Sequence, residues 1–587
     1  MLKLFKKFSK KDVLFIIISI IMIIAQVYLD LKTPDYMSEI TQLVKTQGSQ
    51  MSDIWKNGSM MLVCSLGSLI LTVITGYLVA NVAANLSKNI RKEIFEKVES
   101  LGLHEVKEFS TSSLITRTTN DISQIQSFVA MGLQVLVKAP ITAIWGIRKI
   151  LNKGWEWSAA TGIAVLVLLI AVALIVVFVL PKFKKIQKLT DKLNGKAREN
   201  ITGIRVVRAF NASKYQEEKF DAVNAELTDT QLFNQKSFAV MQPLMYIVMY
   251  LLTLSIYLIG IKLINDALLT DRIAIFGNMV VFSSYAMQII MSFLMLVIIF
   301  IMLPRAEVSA GRIKEVLETK DSIKDGNKGT SDVTEKGTVE FRDVSFKYPD
   351  ASEYLLEKIS FKANKGETVA FIGSTGSGKS TLVNLIPRFY DATEGEVLVD
   401  GQNVKDYTQA ELRNRMSYIP QKAMLFDGTV KSNIVYGDNG KSKITQDKIE
   451  EALKVAQGEE FVLKMDGKYD ATISQGGTNI SGGQKQRLSI ARAIARNPEI
   501  YIFDDSFSAL DYKTDKILRK ALKEYTKDAT TLIVAQRIGT IMHADKIIVL
   551  DNGKCVGIGT HKELLKNCEV YKEIALSQLT KEELENA

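Results

Sequence analysis

Long apolar stretches occur only in the first half of the chain, between residues 13 and 303. Each one is close to the roughly 20 residues that an α-helix needs to cross about 30 Å of hydrocarbon. The pattern therefore predicts an all-α domain of six membrane-spanning helices. The predicted spans are 13–29, 59–79, 128–147, 159–180, 241–264 and 273–303.

Basic residues around these stretches predict the orientation of the domain. Five lysines precede the first stretch, as in a secretory signal peptide, but the apolar run is long for a signal core and no small-x-small cleavage site follows it. We therefore interpret it as a retained span with a cytoplasmic N-terminus, and six spans return the C-terminal half to the cytoplasm. Basic residues at 88–92 and 182–185 agree with this orientation, whereas Arg148 and Lys149 fall on the outer side.

Two long connections between spans, 81–127 and 182–240, are neither apolar enough to cross a membrane nor rich in glycine and proline. We expect each to form helices that extend into the cytoplasm and return. An arm of about 27 helical residues would reach roughly 40 Å. The expected apices are 111–121 and 198–208, where a second cytoplasmic domain could be held.

A polar stretch at 320–336 lacks apolar periodicity and is interpreted as a linker after a transmembrane domain of residues 1–319. From 337 to 587, short β-branched runs alternate with helical segments, which is typical of an α/β domain. The predicted fold class is therefore multidomain. An all-α six-helix transmembrane domain with long intracellular helices is followed by an α/β domain.

Composition agrees with a membrane protein and limits the other classes. Hydrophobic residues make up 47% of the 587 residues, and 74 Lys+Arg against 64 Asp+Glu give a net charge of +10. The basic excess fits either nucleic acid or the anionic inner leaflet of a membrane. The three cysteines are too few and too scattered for a disulfide framework or a zinc cluster, and the chain has only three histidines, His104, His543 and His561.

The clearest motif is a phosphate-binding loop, Gly373-Ser-Thr-Gly-Ser-Gly-Lys-Ser380, between a β-branched run at 368–372 and a helical segment. Its glycines let backbone N–H groups surround phosphate oxygens at a helix N-terminus. Lys379 would reach the β- and γ-phosphates of ATP, and the Ser380 hydroxyl would bind Mg²⁺. The α/β domain at 337–587 is therefore predicted to be a P-loop nucleotide-binding domain. The predicted phosphate-binding residues are Gly373, Ser374, Thr375, Gly376, Ser377, Gly378, Lys379, Ser380 and Thr381.

Two further segments contain candidate ligands for Mg²⁺ and phosphate. Asp504 ends a predicted strand at 500–504 and is a candidate Mg²⁺ ligand, because parallel sheets present ligands at the carboxyl ends of strands. Ile480-Ser-Gly-Gly-Gln484 opens a helix and is a second candidate phosphate-binding turn. Both turns can be used if a nucleotide lies between two copies of the domain.

These motifs, in this order and spacing, resemble those of the ATP-binding cassette (ABC) family, and the whole chain resembles a half-size exporter of the type IV arrangement. Ser481 to Gln484 resembles the signature motif, Gln421 the Q-loop, Tyr348 the aromatic residue that stacks on adenine, and Ser508 to Asp511 the D-loop. The resemblance implies ATP and Mg²⁺ as cofactors, with Ser380, Gln421 and Asp504 at the metal. It disfavours nucleic acid as a partner and assigns the basic excess to contact with membrane lipid.

Two positions differ from the family pattern. Asp505 replaces the glutamate that usually follows Asp504 and polarises the attacking water, and Gln536 replaces the switch histidine. The chain therefore resembles the degenerate subunit of bacterial heterodimeric multidrug exporters. The resemblance implies a weakly hydrolytic ATP site containing Asp505, Gln536 and Gln421. It also implies that Ser481 and Gly483 complete the competent site of a partner that carries the glutamate and the histidine.

The cargo is less well defined by the sequence. Met287, Met291 and Met295 recur at four-residue spacing in the sixth span, beside Gln288, and flexible thioethers suit a cavity that accepts varied apolar shapes. Ordinary helix packing or lipid contact explains the same stripe. No predicted span contains a cluster of acidic residues that would indicate organic cations.

The expected function is one half of a plasma-membrane exporter that moves drugs or other amphipathic molecules out of the cell. Two alternatives remain open. One is a homodimeric lipid or peptide exporter with slow ATP hydrolysis. The other is a regulatory subunit that binds nucleotide to gate a complex.

Overall fold

A computed structural model describes residues 5–46, 48–151, 153–268, 271–327, 335–437, 440 and 443–579. The chain forms two compact units. We call Met1–Glu99 with Thr111–Thr319 the membrane unit, and Ser100–Ser110 with Lys320–Ala587 the nucleotide unit. Residues 328–334 of the predicted linker lie outside the described residues.

The first half of the chain is helical. Its described helices are α1 Lys10–Lys45, α2 Met51–Ser100, α3 Leu103–Phe109, α4 Thr111–Thr118, α5 Asn120–Leu151, α6 Trp155–Thr202, α7 Ile204–Ala209, α8 Ser213–Asp266 and α9 Arg272–Glu318. Of these, α3 belongs to the nucleotide unit, and the others form the membrane unit.

Five helical segments in the described chain are long and apolar enough to cross a membrane. They are Lys10–Lys45, Met51–Ser100, Thr111–Leu151, Ser213–Asp266 and Arg272–Glu318, and they contain the first, second, third, fifth and sixth predicted spans. The fourth predicted span, 159–180, lies within α6, where the described apolar stretch is only Trp155–Ala171. Five spans are thus supported, and the predicted count of six is not confirmed.

Helix α1 begins at a capping box and continues well beyond the predicted end of the first span. The hydroxyl of Ser9 accepts a hydrogen bond from the Asp12 backbone N–H, and the Asp12 carboxylate accepts one from the Ser9 backbone. The helix then runs to Lys45 and includes Asp30 and Asp35. These carboxylates are tolerated within it because they are paired, Asp30 with Lys138 and Asp35 with Lys149.

The helical arms turn at two short helices. In the first arm, α3 is separated from its neighbours by Gly102 and by Ser110, which has a φ of +56°. The apex therefore lies at 101–110, and the predicted apex at 111–121 is wrong by about one short helix, since residues 111–118 form α4. The second arm turns around α7, between Gly203 and Ala212, which overlaps the predicted apex at 198–208.

The core of the membrane unit contains large aromatic side chains from α6 and α9. Trp157 and Phe282 are almost fully buried, with ring centroids 5.6 Å apart. The indole N–H of Trp157 donates to the backbone oxygen of Ile256 in α8 at 3.1 Å. This hydrogen bond satisfies the only polar group of a buried indole and joins α6 to α8, while the ring contact with Phe282 joins α6 to α9.

The nucleotide unit contains the described strands. They are β1 Val339–Phe346, β2 Leu356–Ala363, β3 Thr368–Gly373, β4 Glu394–Val399, β5 Gln402–Asn403, β6 Met416–Ile419, β7 Gly428–Thr429, β8 Thr472–Ile473, β9 Ile500–Asp504, β10 Thr530–Val534, β11 Lys546–Asp551 and β12 Lys554–Gly559. Its further α-helices are α10 Lys379–Asn384, α11 Gln409–Asn414, α12 Val430–Ile434, α13 Gln446–Val455, α14 Glu459–Leu463, α15 Gly482–Ala495, α16 Tyr512–Tyr525, α17 Ile538–Ile541, α18 His561–Asn567 and α19 Glu569–Gln578.

The main sheet has the strand order β12-β11-β3-β10-β9-β6, in which β12 is antiparallel and the other neighbours are parallel. A smaller antiparallel sheet has the order β2-β1-β4-β5, and β7 pairs with β8. The predicted α/β class of this half is confirmed. Because β3, β9 and β6 are parallel, their carboxyl ends place Gly373, Asp504 and the segment leading to Gln421 at one edge of the sheet.

Candidate nucleotide site

The phosphate-binding loop connects β3 to α10 through glycines in left-handed conformations. The φ angle is +88° at Gly376 and +93° at Gly378, a region that favours glycine. A Cβ on Gly378 would also lie 2.6 Å from Cδ2 of Leu356, so its glycine is required by packing as well. Ser374 to Gly376 lie at the outer rim of the loop, whereas Ser377 is buried beneath it.

Lys379 lies over this loop and places its ammonium group among backbone oxygens. Its Nζ donates to the carbonyl oxygens of Gly373 at 2.9 Å and Ser374 at 2.7 Å. Burial lowers the pKa of Lys379, while the charges of Asp505 and Asp504 raise it. An incoming phosphate would offer stronger, charged acceptors in place of the two carbonyls.

Two of the three predicted metal ligands meet at the end of β9. The Ser380 hydroxyl donates to Oδ1 of Asp504 at 2.7 Å. Adjacent oxygen ligands of an octahedral Mg²⁺ ion lie about 2.9 Å apart, so these two oxygens fit neighbouring positions around the metal. The third residue, Gln421, donates its Nε2 to Asp505 instead, at 2.9 Å, which leaves its Oε1 as the atom that could face a metal.

The sequence reasoning missed Tyr418, which holds the other oxygen of Asp504. Its hydroxyl donates to Oδ2 at 2.9 Å, and its ring packs edge-on against Phe389 at 5.4 Å. Burial and the charge of Asp504 raise the pKa of this phenol, so it remains a proton donor. Tyr418 stands three residues before Gln421, but only the parallel pairing of β6 with β9 shows that it reaches Asp504.

We expect Tyr418→Phe to raise the Mg²⁺ concentration needed for half-maximal stimulation of ATP binding by about tenfold, because one hydrogen bond to a charged group is worth about 1.5–3 kcal/mol. The measurement is a Mg²⁺ titration of fluorescent ATP-analogue binding to the full chain. Tyr501→Phe is the control, since Tyr501 lies on the neighbouring strand β9, is more deeply buried than Tyr418, and has a hydroxyl without a partner in the described structure. Equal Mg²⁺ dependence of the two variants would contradict the role of Tyr418.

Asp505 and Gln536, the two residues that differ from the family pattern, are directly hydrogen-bonded to each other. Oδ2 of Asp505 accepts hydrogen bonds from Nε2 of Gln421 at 2.9 Å and from Nε2 of Gln536 at 2.7 Å. The backbone of Asp505 is left-handed, with a φ of +48°, and its N–H donates to the backbone oxygen of Val534 at 3.0 Å. Burial raises the pKa of Asp505, and the hydrogen bonds from the two amides lower it.

A polar cavity of about 260 Å³ adjoins this carboxylate and contains Asp505, Ser508, Gln536 and Arg537 among its lining residues. The Ser508 hydroxyl donates to the backbone oxygen of Asp505 at 2.9 Å. Hydrogen bonds therefore hold both the carboxylate and the backbone of Asp505.

The predicted adenine-contacting residue, Tyr348, lies beside the phosphate-binding helix. Its hydroxyl is 3.0 Å from Oγ1 of Thr381, and its ring is edge-on to those of Phe346 and Tyr390. Lys107, from α3, lies 5.9 Å from the centroid of the Tyr348 ring. Phe346 and Tyr390 are buried while Tyr348 is partly exposed, and the structure brings Tyr348 close to Thr381, both of which are predicted to bind ATP.

Ser481 and Gly483 belong to a separate part of the nucleotide unit. Ser481 caps α15 by accepting from the Gln484 N–H at 3.3 Å, and its own N–H donates to Oε1 of Gln484. A Cβ on Gly483 would lie 3.5 Å from the backbone oxygen of Ala509, next to the predicted D-loop. The structure therefore places Gly483 beside the D-loop of the same chain, and Ser481 caps the helix to which Gly483 belongs.

The membrane unit contains a cavity of about 550 Å³ between α1, α2, α5 and α9. Of the four residues that the sequence offered as candidates for a substrate cavity, Gln288, Met291 and Met295 line this cavity, and Met287 does not. Asp30 and Lys138 also line it and form an ion pair of 3.3 Å. The sequence reasoning missed Asp30 because it ended the first span one residue earlier.

Comparisons with known proteins agree with this architecture. Residues 16–293 match the model of the ABC transporter transmembrane region, and residues 356–508 match that of the ABC transporter ATP-binding domain family. The chain is 38% identical over 524 residues to an ABC transporter ATP-binding protein of Mycobacterium tuberculosis (strain ATCC 25618 / H37Rv), covering 88% of this chain and 87% of that protein.

Two further proteins are similar to this chain: one whose name states its cargo, and one whose structure has been solved. The ATP-dependent lipid A-core flippase of Aromatoleum aromaticum (strain DSM 19018 / LMG 30748 / EbN1) is 31% identical over 510 residues, covering 86% of this chain and 82% of that protein. The structure of a bacterial Atm1-family ABC exporter with ATP bound superposes with a TM-score of 0.81. It covers 97% of this chain and 99% of its own at 23% identity, which shows the shared fold.

Proposed function

The chain belongs to the ABC transporter family as a multi-pass membrane exporter with a cytoplasmic nucleotide-binding domain, and we propose that it is the weakly hydrolytic subunit of a heterodimer. The observation that carries the proposal is the double hydrogen bond from Gln421 and Gln536 to Oδ2 of Asp505. Both amides therefore restrain the short carboxylate that replaces the family's catalytic glutamate.

ATP binding is assigned to residues that are already arranged for it. Lys379 would release two backbone carbonyls and bind phosphate oxygens, and Tyr348 would stack on adenine. Ser380 and Asp504 would hold Mg²⁺, with Tyr418 orienting the carboxylate. When bound, the metal would neutralise part of the negative charge of the phosphates.

Hydrolysis at this site is expected to be slow for two reasons. An aspartate is one methylene shorter than glutamate, and a general base must come within about 2.6–3.2 Å of the proton that it removes. The second reason is the side chain at 536, since an amide can donate a hydrogen bond to phosphate but never carries the positive charge of a histidinium. Asp505 is also only 7% exposed, so it has little freedom to move toward a water molecule.

A partner would use the other face of the nucleotide unit. Ser481 and Gly483 contact their own turn and the D-loop, which leaves the N-terminal end of α15 available to a nucleotide held by another chain. The partner's own glutamate and histidine would then perform hydrolysis at that composite site. This arrangement assigns ATP binding to both subunits and rapid turnover to one of them.

Chain connectivity suggests how nucleotide binding reaches the membrane. Residues 100–110 belong to the nucleotide unit, although they connect α2 with α4 of the membrane unit. Within the nucleotide unit, Lys107 donates to the Tyr390 hydroxyl at 3.4 Å, near Tyr348. Closure of two nucleotide units would therefore pull on the ends of α2 and α4 and could open the membrane helices outward.

The cargo is proposed to be an amphipathic molecule, including drugs. Met291 and Met295 provide adaptable apolar surface, and Gln288, Asp30 and Lys138 provide polar contacts in the same cavity. One relative is named as an ATP-dependent lipid A-core flippase, and a lipid cargo would belong to the proposed class. The paired charges Asp30 and Lys138 favour a cargo that carries its own polar or charged group.

The test is ATP hydrolysis by the purified full chain, alone and after reconstitution with an ABC half-transporter that carries the glutamate and the histidine. We expect little turnover by the chain alone and at least a hundredfold more from the pair, since a general base contributes about 10²–10⁴-fold. Comparable hydrolysis by a homogeneous preparation of this chain would instead identify a homodimeric exporter. Nucleotide binding without vesicle transport by the pair would identify a regulatory subunit.

A further inference from the structure

A second cavity in the membrane unit is lined by basic residues to which ATP-driven transport assigns no role. It has a volume of about 730 Å³ and lies between α1, α5 and α9. Arg148 and Lys149, which oppose the positive-inside rule, both line it. Its charged lining residues are Lys32, Arg148, Lys149, Lys153 and Asp35. Four cations and one anion give these side chains a net charge of 4 − 1 = +3.

The single carboxylate of this cavity is fully engaged. Oδ2 of Asp35 pairs with Nζ of Lys149 at 2.6 Å, and Oδ1 accepts a hydrogen bond from the hydroxyl of the buried Tyr285. Neither Lys32 nor Arg148 has a carboxylate within ion-pair distance among the described residues. The cavity therefore retains positive charge that its own residues do not neutralise.

Aromatic residues line the same cavity. The rings of Tyr28 and Trp145 are edge-on, with centroids 6.5 Å apart, and Nζ of Lys32 lies 5.9 Å from the Tyr28 centroid. Tyrosine and tryptophan are favoured at the membrane–water interface, because their rings are amphipathic. Basic and aromatic side chains together suit a ligand with an anionic head and an apolar tail.

This cavity is separate from the proposed cargo cavity. Residues 28, 31, 32 and 35 of α1 line it, whereas residues 30, 33, 34 and 37 of α1 line the cargo cavity. Its α5 residues extend to the end of that helix near Leu151, and Lys153 follows in the connection to α6. Since α5 begins at the cytoplasmic arm, this end is the extracytoplasmic one.

We propose that this cavity binds the phosphate-bearing headgroup of an anionic lipid from the outer half of the bilayer. The guanidinium of Arg148 is suited to bidentate contact with a phosphate, and the three lysines supply point charges around it. The headgroup would offset the excess charge, and its acyl chains would lie along the apolar faces of α1 and α5. The inference goes beyond ATP-driven transport and does not depend on how the two nucleotide sites share hydrolysis.

The test is binding of phosphatidylglycerol to the full chain, measured by native mass spectrometry in a neutral detergent, against phosphatidylcholine. We expect Lys32→Gln with Arg148→Gln to weaken phosphatidylglycerol binding by about 25-fold, from roughly fivefold for each charge near the headgroup. Lys262→Gln is the matched control, because Lys262 is an exposed lysine near the end of α8 and does not line the cavity. Unchanged ATP-analogue binding shows that each variant is folded.

Charge and geometry can be separated within the same experiment. Arg148→Lys keeps the charge and loses bidentate contact, so it should retain most of the selectivity for phosphatidylglycerol over phosphatidylcholine. Equal binding of the two lipids, or an equal loss in Lys262→Gln, would overturn the proposal. A competition with inorganic phosphate distinguishes the sources of the anion. Displacement of the lipid by phosphate at a comparable concentration would show that the site takes a free anion and would overturn the assignment to lipid.

Discussion

Replacing Asp505 with glutamate and Gln536 with histidine in one chain is expected to raise its ATP hydrolysis by at least about a hundredfold. The other parts of a competent site are present, since Lys379, Ser380 and Asp504 already lie together and the signature residues Ser481 and Gly483 are intact. Two copies of the variant could therefore complete each other's sites. The measurement is phosphate release by the variant and the original chain at matched protein concentration.

The structural reason for the gain is local. Oδ2 of Asp505 now accepts from both Gln421 and Gln536, so the second substitution removes one of the amides that hold the carboxylate. The first substitution extends the carboxylate by roughly 1.5 Å, about one C–C bond, toward the attacking water. Each single variant should gain much less hydrolysis than the double variant, because a longer carboxylate that is still held by the Gln536 amide is poorly placed and because residues 505 and 536 interact directly.

Two controls make this result decisive. Asp505→Asn keeps the size of the side chain and removes the base, so residual hydrolysis should fall further. Mass photometry of the same samples shows whether two copies are paired. A paired double variant that hydrolyses ATP no faster than the original chain would contradict our explanation of the slow site.

The phosphate-binding loop could be predicted from the sequence because its information is local. The spacing of Gly373, Gly378, Lys379 and Ser380 specifies a strand, a tight turn and a helix without reference to distant residues. The structure places β3 and α10 at those positions, with left-handed glycines between them. Asp504 could be predicted for the same reason, since it ends a buried run of five residues.

The hydrogen bonds that distant residues donate to the carboxylates of Asp504 and Asp505 could not be predicted in this way. Gln421, Asp505 and Gln536 are separated by 84 and 31 residues along the chain, and only the order β10-β9-β6 brings them to one atom. Tyr418 was overlooked for the same reason. Sequence patterns predict strands, but strand neighbours depend on the whole sheet.

The end of the first membrane helix was predicted wrongly for a different reason. Hydropathy ended the first span at residue 29, because the following residues include Asp30, Lys32 and Asp35. In the structure, the two carboxylates have partners on α5, and the helix continues to Lys45. A hydropathy average has no access to such pairing, so it shortens helices that carry compensated charges. Asp30 in one cavity of the membrane unit and Asp35 in the other were therefore missed at the level of the sequence.

Replacing Gly483 with alanine is expected to reduce ATP hydrolysis by the reconstituted pair about a hundredfold and to leave ATP binding by this chain unchanged. A new Cβ at this position would lie 3.5 Å from the Ala509 oxygen and 3.8 Å from Cδ2 of Leu510, which are ordinary van der Waals distances. The chain itself therefore tolerates the methyl group. A nucleotide held by the partner would not, if it approaches the backbone at the start of α15 as closely as a phosphate approaches donor N–H groups.

The comparison that isolates this effect uses a second glycine. Gly162 lies in α6, and among the described residues no neighbouring atom lies within 4 Å of the position that its Cβ would take, so Gly162→Ala should leave both hydrolysis and the melting temperature unchanged. Phosphate release by the pair, the melting temperature and ATP-analogue binding to the isolated chain are measured for both variants. Because Gly483 contacts its own D-loop and not its own phosphate-binding loop, a loss confined to the pair would locate the defect in the partner's site. Full hydrolysis by the Gly483→Ala pair would show that α15 of this chain does not complete that site, and the proposed division of labour would fail.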